Sequence, residues 1–373
     1  MKWTLVCCGF FLAQIGFASP VTLTIDTLAP GDAIPADFSG LSFETGSELP
    51  DRNHVSGHLF SPTNQPLITL FRNAGIHNLR VGGGTVDGPK AAVPSQDAID
   101  DLFAFAKAVG NLDVIYSMRL LNGNPSEAAA TAGYIWRHYR PLLAAFSIGN
   151  EPDWKSFHYP PAGRGTDPSI SDYPSYLAAW RKFAEAITNA APGAMFAGPD
   201  TGDYTKSTYR HGKSWTQRFA DDERHSGIIS AVTQHFYVGS HPEGVSSAQA
   251  VSNMLSPAWV NVKYPWLFKH NLAPVVKDGL AYRLTESNDY LVGIENASDT
   301  LASALWALDY MHWWAAHGCA GVNFHNKSWL LTDTIYLDSS GKFRIHPKAY
   351  GIKCLSWAAV VAWNGSKSAT RKR

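Results

Sequence analysis

Charge is what this sequence has least of. Asp, Glu, Lys and Arg make up 17% of its 373 residues, against about 25% in an ordinary globular chain. With 45% hydrophobic residues, the balance is the reverse of a disordered profile. Neither sign prevails, since 31 basic side chains face 31 acidic ones. That removes the electrostatic ground for expecting DNA, RNA or an anionic membrane as partner. Cysteine is scarce too, with four in the chain. Cys7 and Cys8 sit in the N-terminal apolar run. Cys319 and Cys354 could pair, but are too few for a disulfide framework and read as small buried residues. His54 and His58 stand at i and i+4 without the glutamate of a metalloprotease helix, and read as surface-loop residues. Gly82-Gly83-Gly84-Thr85 has neither dinucleotide-loop spacing nor a phosphate-loop lysine. No metal, nucleotide or redox cofactor is therefore expected.

The long apolar run, residues 5–17, follows Lys2 and precedes the small residues Gly16 and Ala18. It is too short to span a bilayer and has the flanks of a secretory signal peptide covering residues 1–18, which predicts a secreted protein. N-x-S sequons occur at Asn296, Asn326 and Asn364.

Residues 21–25 alternate apolar and polar side chains, the period of a half-buried strand. From residue 37 the rhythm changes. Short apolar runs at 37–44, 77–82, 113–119, 144–150, 195–199, 228–237, 282–288 and 320–325 alternate with longer amphipathic segments. The clearest of those are 96–108, 127–138, 176–189, 247–253 and 301–316, with a last one from about 349. Ser95, Ser126, Ser171 and Asp299 stand where helix caps belong, and Gly110, Pro192 and Gly318 where helices stop. This is the rhythm of an α/β protein of the (β/α)8 TIM-barrel type. The predicted layout is a signal peptide (1–18), an N-terminal strand segment (19–36), a barrel (37–363) and a basic tail (364–373). A doubly wound open sheet is the competing arrangement, weakened by the absence of a dinucleotide loop.

Reactive groups of such barrels lie at the C-terminal ends of the strands. Glu151 closes the fourth run, in Ile148-Gly149-Asn150-Glu151-Pro152-Asp153, and Glu286 closes the seventh, in Leu284-Thr285-Glu286. A carboxylate at the end of an apolar strand is costly to bury and should be paired or employed. The alternative for each is a salt-bridged structural acid.

With Gly40-Leu41-Ser42-Phe43-Glu44, Leu79-Arg80-Val81-Gly82-Gly83, His235-Phe236-Tyr237, Gly321-Val322-Asn323-Phe324-His325 and His346-Pro347, these motifs resemble glycoside hydrolase family 79. This is the heparanase and β-glucuronidase group, and its fungal and bacterial exo-β-glucuronidases are the nearest likeness. The resemblance runs from about residue 20 to 360. It implies retaining hydrolysis with Glu151 as acid/base, Glu286 as nucleophile and Asn150 on the sugar 2-hydroxyl. Further candidate substrate contacts in the mouth are Glu44, with a loop salt bridge as its alternative, His235, with core packing as its alternative, Tyr237, Tyr290, His325 and Lys327. Tyr290, Lys327 and backbone amides after the eighth strand are the candidate donors to a glucuronate carboxylate. Asn326 lies in that mouth and is expected to carry no glycan.

Members of that family continue into a β-sandwich that also uses the N-terminal strand. This sequence ends at Arg373, so the strand at 21–25 is expected to lack most of its sheet and the expressed chain to be poorly soluble or low in activity. The densest basic stretch, Lys206, Arg210, Lys213 and Arg218, runs directly into Asp221, Asp222 and Glu223. That favours an exo enzyme releasing one glucuronic or 4-O-methylglucuronic acid from plant or fungal glycans over a reader of long polyanions. The alternatives are a retaining barrel glycosidase acting on a neutral sugar and a catalytically silent carbohydrate-binding protein.

Overall fold

A computed structural model describes residues 33–88, 92–153, 169–202 and 212–363, except the side chains of 358–363. The expected signal peptide, the strand at 21–25, the basic tail, Lys206, Arg210 and Asn364 lie outside these residues.

Eight parallel strands close into a barrel in chain order. They are β1 (Ser39–Glu44), β2 (Asn78–Gly82), β3 (Asp113–Met118), β4 (Leu143–Ile148), β5 (Phe196–Thr201), β6 (Ile229–Tyr237), β7 (Tyr282–Asn288) and β8 (Val322–Asn326). Around them run α1 (Gln65–Ala74), α2 (Gln96–Val109), α3 (Pro125–Tyr139), α4 (Tyr173–Ala190), α5 (Trp215–Glu223), α6 (Ser247–Met254), α7 (Tyr264–Leu267), α8 (Ala273–Lys277), α9 (Leu301–Ala316) and α10 (Lys348–Trp363). π-Helical turns at Trp259–Lys263 and Phe268–Leu272 flank α7. A small antiparallel pair, β9 (Ile335–Leu337) and β10 (Phe343–Ile345), follows β8. The fold is a (β/α)8 TIM barrel.

The strands read as apolar runs because helices cover the barrel outside and side chains fill it inside, so both faces are buried. Outward-facing residues such as Leu41, Leu79, Val114, Phe146 and Phe324 join the main core. Ile115, Ala145 and Ala197 form a separate apolar cluster on the inner side of β3, β4 and β5. The aromatic wealth of the chain serves this core: Trp306, Tyr310 and Trp314 of α9 pack on Tyr264 and Phe236 and are fully buried.

Ser95 and Gly110 cap α2 as expected. Elsewhere two polar residues compete at a helix start and the one with extended backbone wins: Asn124 instead of Ser126, Asp172 instead of Ser171, Thr300 instead of Asp299. Ala191 and His317 end α4 and α9, one residue before the expected Pro192 and Gly318. Helices α1, α5 and the stretch from Trp259 to Lys277 lie outside the segments expected to be helical. Neither described cysteine is in a disulfide; Cys319 is buried, but Cys354 is exposed on α10, contrary to expectation. Among the described residues, no helix is long and apolar enough to cross a membrane.

Candidate active site

Strand register assembles the site. Ser42 of β1 stands opposite Arg80 of β2 on one side and His325 of β8 on the other. Across the barrel His235 of β6 pairs with Glu286 of β7. The ladders on both sides of β7 shift register next to Glu286. Such an irregularity re-aims side chains, and here consecutive residues reach one ion cluster: Thr285 donates to Asp200 (2.5 Å) while Glu286 meets Arg80 (2.8 Å).

Glu151 leaves β4 through Gly149 and is itself left-handed, φ 49°, a conformation that a non-glycine residue holds only when its surroundings enforce it. Its amide N–H donates to the carbonyl of Asp200 at 2.9 Å. One carboxylate oxygen of Glu151, one of Glu286 and a ring nitrogen of His235 all lie within 4.8 Å of one another. Two acids 135 residues apart in the chain (286 − 151) therefore converge at the C-terminal ends of the strands.

Glu286 accepts from Arg80 Nη1 (2.8 Å) and from the Tyr237 hydroxyl (2.7 Å). His325 and His235 stand 3.7 and 3.8 Å from its Oε2. Burial alone would raise its pKa, but the charges of His325, His235 and Arg80 and the Tyr237 bond hold it well below the usual carboxylate range. It is ionised at neutral pH, as an attacking group must be.

Arg80 is fully buried and acts as the hub. Nη1 also donates to Ser42 Oγ (3.2 Å), and Nη2 donates to Asn150 Oδ1 (2.9 Å) and Asp200 Oδ2 (3.0 Å). Burial would lower its pKa, yet Asp200 and Glu286 raise it above the ordinary arginine value. Gly82 leaves the room it needs: a Cβ there would sit 2.8 Å from the guanidinium carbon and 2.5 Å from Ser117 Oγ.

His235 donates or accepts through Nδ1 at 3.0 Å from Glu151 Oε1, with Nε2 3.6 Å from Asp200 Oδ1. Burial favours the neutral ring, but Glu286, Asp200 and Glu151 together raise its pKa to about 10. His325 is raised likewise, by Glu286 and Glu44 against burial. Glu44, at the end of β1, accepts from the Thr85 amide at 2.7 Å and faces His325 Nε2 (3.6 Å) and Lys327 Nζ (3.8 Å). Against burial, these cations pull it down to about 2. Its carboxylate lies against Gly83 (φ 67°), where a Cβ would come within 2.6 Å.

Asn150 is buried, its amide N–H bonded to Asp87 Oδ2 (2.9 Å) and its side-chain oxygen taken by Arg80. A ligand would meet its Nδ2. Lys327 stands at the rim, its side chain 52% exposed. Asn326 is buried, its side chain accepting from the amides of Thr334 and Ile335, which leaves no room for a glycan in the folded chain. Tyr290 departs from expectation. It is buried against Trp259, and its hydroxyl accepts from Asn253 of α6 at 2.9 Å. It packs the loop after β7 instead of presenting a donor to the cavity.

Arg80, Ser42, Asp87 and Asp200 had not been assigned to the site, although Ser42 and Arg80 lie in the motifs quoted above. A charged residue inside an apolar run was the available signal for Arg80. Asp200 lies one residue past the apolar run 195–199, because β5 continues to Thr201.

Glu151, His235 and Glu286 are also groups that ligate metals. Arg80 and the charged ring of His235 already supply positive charge at these oxygens, which disfavours a further cation.

No family model and no curated protein matches the sequence. Among solved structures, the chain is similar in fold to a 4-O-alpha-L-rhamnosyl-beta-D-glucuronidase from Fusarium oxysporum 12S (TM-score 0.62, 16% identity, over 87% of this chain and 70% of that one). A family 51 alpha-L-arabinofuranosidase from Bifidobacterium longum gives 0.63 and 14%, over 88% and 74% of the two chains. A monomeric beta-xylosidase from Caulobacter crescentus CB15 gives 0.55 and 17%, over 87% and 69%. At these identities the likeness is one of fold.

Proposed function

We propose that the chain is a secreted, retaining exo-glycoside hydrolase whose substrate is a β-glucuronide. The observation that carries the reading is the approach of Glu151 and Glu286 to within 4.8 Å, oxygen to oxygen, in the mouth of the barrel. Direct attack needs carboxyls about 5–5.5 Å apart, whereas an inverting enzyme keeps about 6.5–9.5 Å for a water. Glu286 attacks the anomeric carbon; the bond to the leaving oxygen breaks, its electrons go with that oxygen, and Glu151 donates the proton. Glu151 then takes a proton from the incoming water, which cleaves the ester with net retention. Tyr237 and Arg80 orient the attacking carboxylate, and Asn150 faces the developing positive charge through the 2-hydroxyl. The fold neighbours are glycosidases, which supports the class.

For a uronic acid, the half-exposed Lys327 supplies positive charge at the rim; the buried His325, its pKa raised against burial by Glu286 and Glu44, faces the same Glu44 carboxylate. The basic stretch is locally spent where it is described: Lys213 pairs with Asp221 at 2.5 Å, and Arg218 stacks on Tyr173. That speaks for one acidic sugar over a polyanion. A neutral sugar is the second reading, favoured by the burial of Tyr290 and by the sharing of Lys327 with Glu44.

The test is an anomer-resolved NMR time course on nitrophenyl β-glucuronide and the matching β-glucoside. The β-anomer of glucuronic acid is expected first. Release of the α-anomer first would remove the double displacement, preference for the glucoside would move the substrate, and no hydrolysis of any glycoside would sink the enzyme.

A further inference from the structure

We propose that Asp200 is a positioning residue, the permanent counter-ion that keeps Arg80 and His235 charged and in place while Glu286 is an ester. The inference rests on the hydrolase reading above.

Asp200 is buried at the end of β5 and is held from every side. Oδ2 accepts from Arg80 Nη2 (3.0 Å) and Ser147 Oγ (2.7 Å), and Oδ1 accepts from Thr285 Oγ1 (2.5 Å). His235 Nε2 lies 3.6 Å from Oδ1. The backbone is left-handed at φ 54°, with its amide donating to Thr233 Oγ1 (2.8 Å) and its carbonyl accepting from Glu151 N (2.9 Å). A non-glycine residue keeps that conformation only where the surroundings enforce it.

Charge moves during the reaction. When an oxygen of Glu286 bonds to the anomeric carbon, its carboxylate loses its negative charge. The leaving oxygen takes the proton of Glu151, so the charge reappears on Glu151, beside His235 Nδ1 at 3.0 Å. Arg80 has then lost one of its two carboxylates, and a buried cation without a counter-charge is strongly disfavoured. Asp200 is fully buried beside the two glutamates' partners and takes part in neither bond change, so its charge is the same before, during and after. The groups facing His235 are Asp200 from β5, Glu151 beyond β4, Glu286 from β7 and Arg80 from β2. Of the three acids, Asp200 alone keeps its charge through both half-reactions. Burial would raise its pKa, but Arg80, His235 and the Thr285 bond hold it far below the ordinary value.

The test is Asp200→Asn in the full chain, an isosteric change that removes the charge. We expect kcat to fall by roughly 10²-fold or more with KM shifted far less. We also expect the imidazole NMR titration of His235, near pH 10 in the unchanged protein, to move down by a unit or more. If D200N does not fold, Ser147→Ala with Thr285→Val strips two hydroxyl donors and keeps the charge. With the charge retained, the His235 titration of this variant should stay at or above that of the unchanged protein, and a fall of a unit or more would overturn the proposal. Unchanged kcat and His235 titration in D200N also overturn it and leave the hydrolase standing. Lost kcat with the His235 titration unmoved overturns it as well, since a structural defect alone would do that. Absence of turnover in the unchanged protein on every glycoside overturns both.

Discussion

Among the described residues two arginines are buried inside this barrel, one toward each end. Arg283 of β7 lies toward the N-terminal end, donating to Asn323 Oδ1 (2.7 Å), Asp37 Oδ2 (2.9 Å) and the Asp37 carbonyl (2.7 Å). Arg80 lies toward the mouth. Each is admitted by a glycine: a Cβ on Gly321 would stand 2.4 Å from the guanidinium of Arg283, as one on Gly82 would crowd Arg80. Their electrostatics differ. Arg283 has one acidic partner, itself 29% exposed, and burial pulls its pKa down. Arg80 has two fully or nearly buried carboxylates and is pushed up. The lower cluster closes the barrel with local neutrality. The upper one concentrates charge, and Arg80, the Tyr237 hydroxyl and the two histidines surround the carboxylate of Glu286 there.

The strongest way to break the comparison is at the acids. Glu286→Ala should lower hydrolysis roughly 10⁴-fold or more while glycan binding survives. Asp37→Ala should leave kcat unchanged, as measured by parallel kinetics and binding titrations. Next comes the arginine pair. Arg80→Met strands two buried carboxylates and is expected to cost about 3–5 kcal/mol of stability and roughly 10²–10³ in kcat. Arg283→Met, whose partner can turn to water, should cost about 1–3 kcal/mol in denaturant melts with kcat intact. Equal losses of activity would end the distinction between the two ends.

A smaller effect sharpens it. Glu44 ends β1 and Glu48 follows it by four residues, both buried, yet against burial cations pull the first down to about 2 while burial, only partly offset by Tyr116, pushes the second up to about 8. Between about pH 4.5 and 8 the unfolded chain gives up a proton that folded Glu48 keeps. Stability should therefore fall as pH rises through that window and level off above it. Glu48→Gln should flatten this slope and stabilise the protein at pH 8 by about 2–4 kcal/mol. Parallel melting curves for the two proteins would show that Glu48 is charged after all.

Much of this was legible in the sequence. Parallel strands covered on both faces appear as apolar runs, so all eight were found within one or two residues of their observed ends. Glu151 and Glu286 stood out because an acid ending such a run has no cheap explanation. Arg80 was visible only as a letter within a motif, since nothing local says which of several strands its five donors will meet. Tyr290 was misplaced because nearness along the chain to Glu286 says nothing of which way a loop turns its ring. Asp200 was overlooked because β5 continues past Pro199 with irregular register, which no alternation rule anticipates.

Periodicity and composition thus marked the eight strand segments and the two acids near their ends, while closure of the sheet over its doubly wound competitor was decided in three dimensions. The segments and the acids follow from burial, a short-range property each segment carries in its own side chains. The charge state of the cavity was likewise decided only in three dimensions. It depends on distances of 3 to 4 Å between groups that up to 283 positions of chain separate (327 − 44), as Glu44 and Lys327 are. Coulomb energy and desolvation are set by those distances and by the water they exclude.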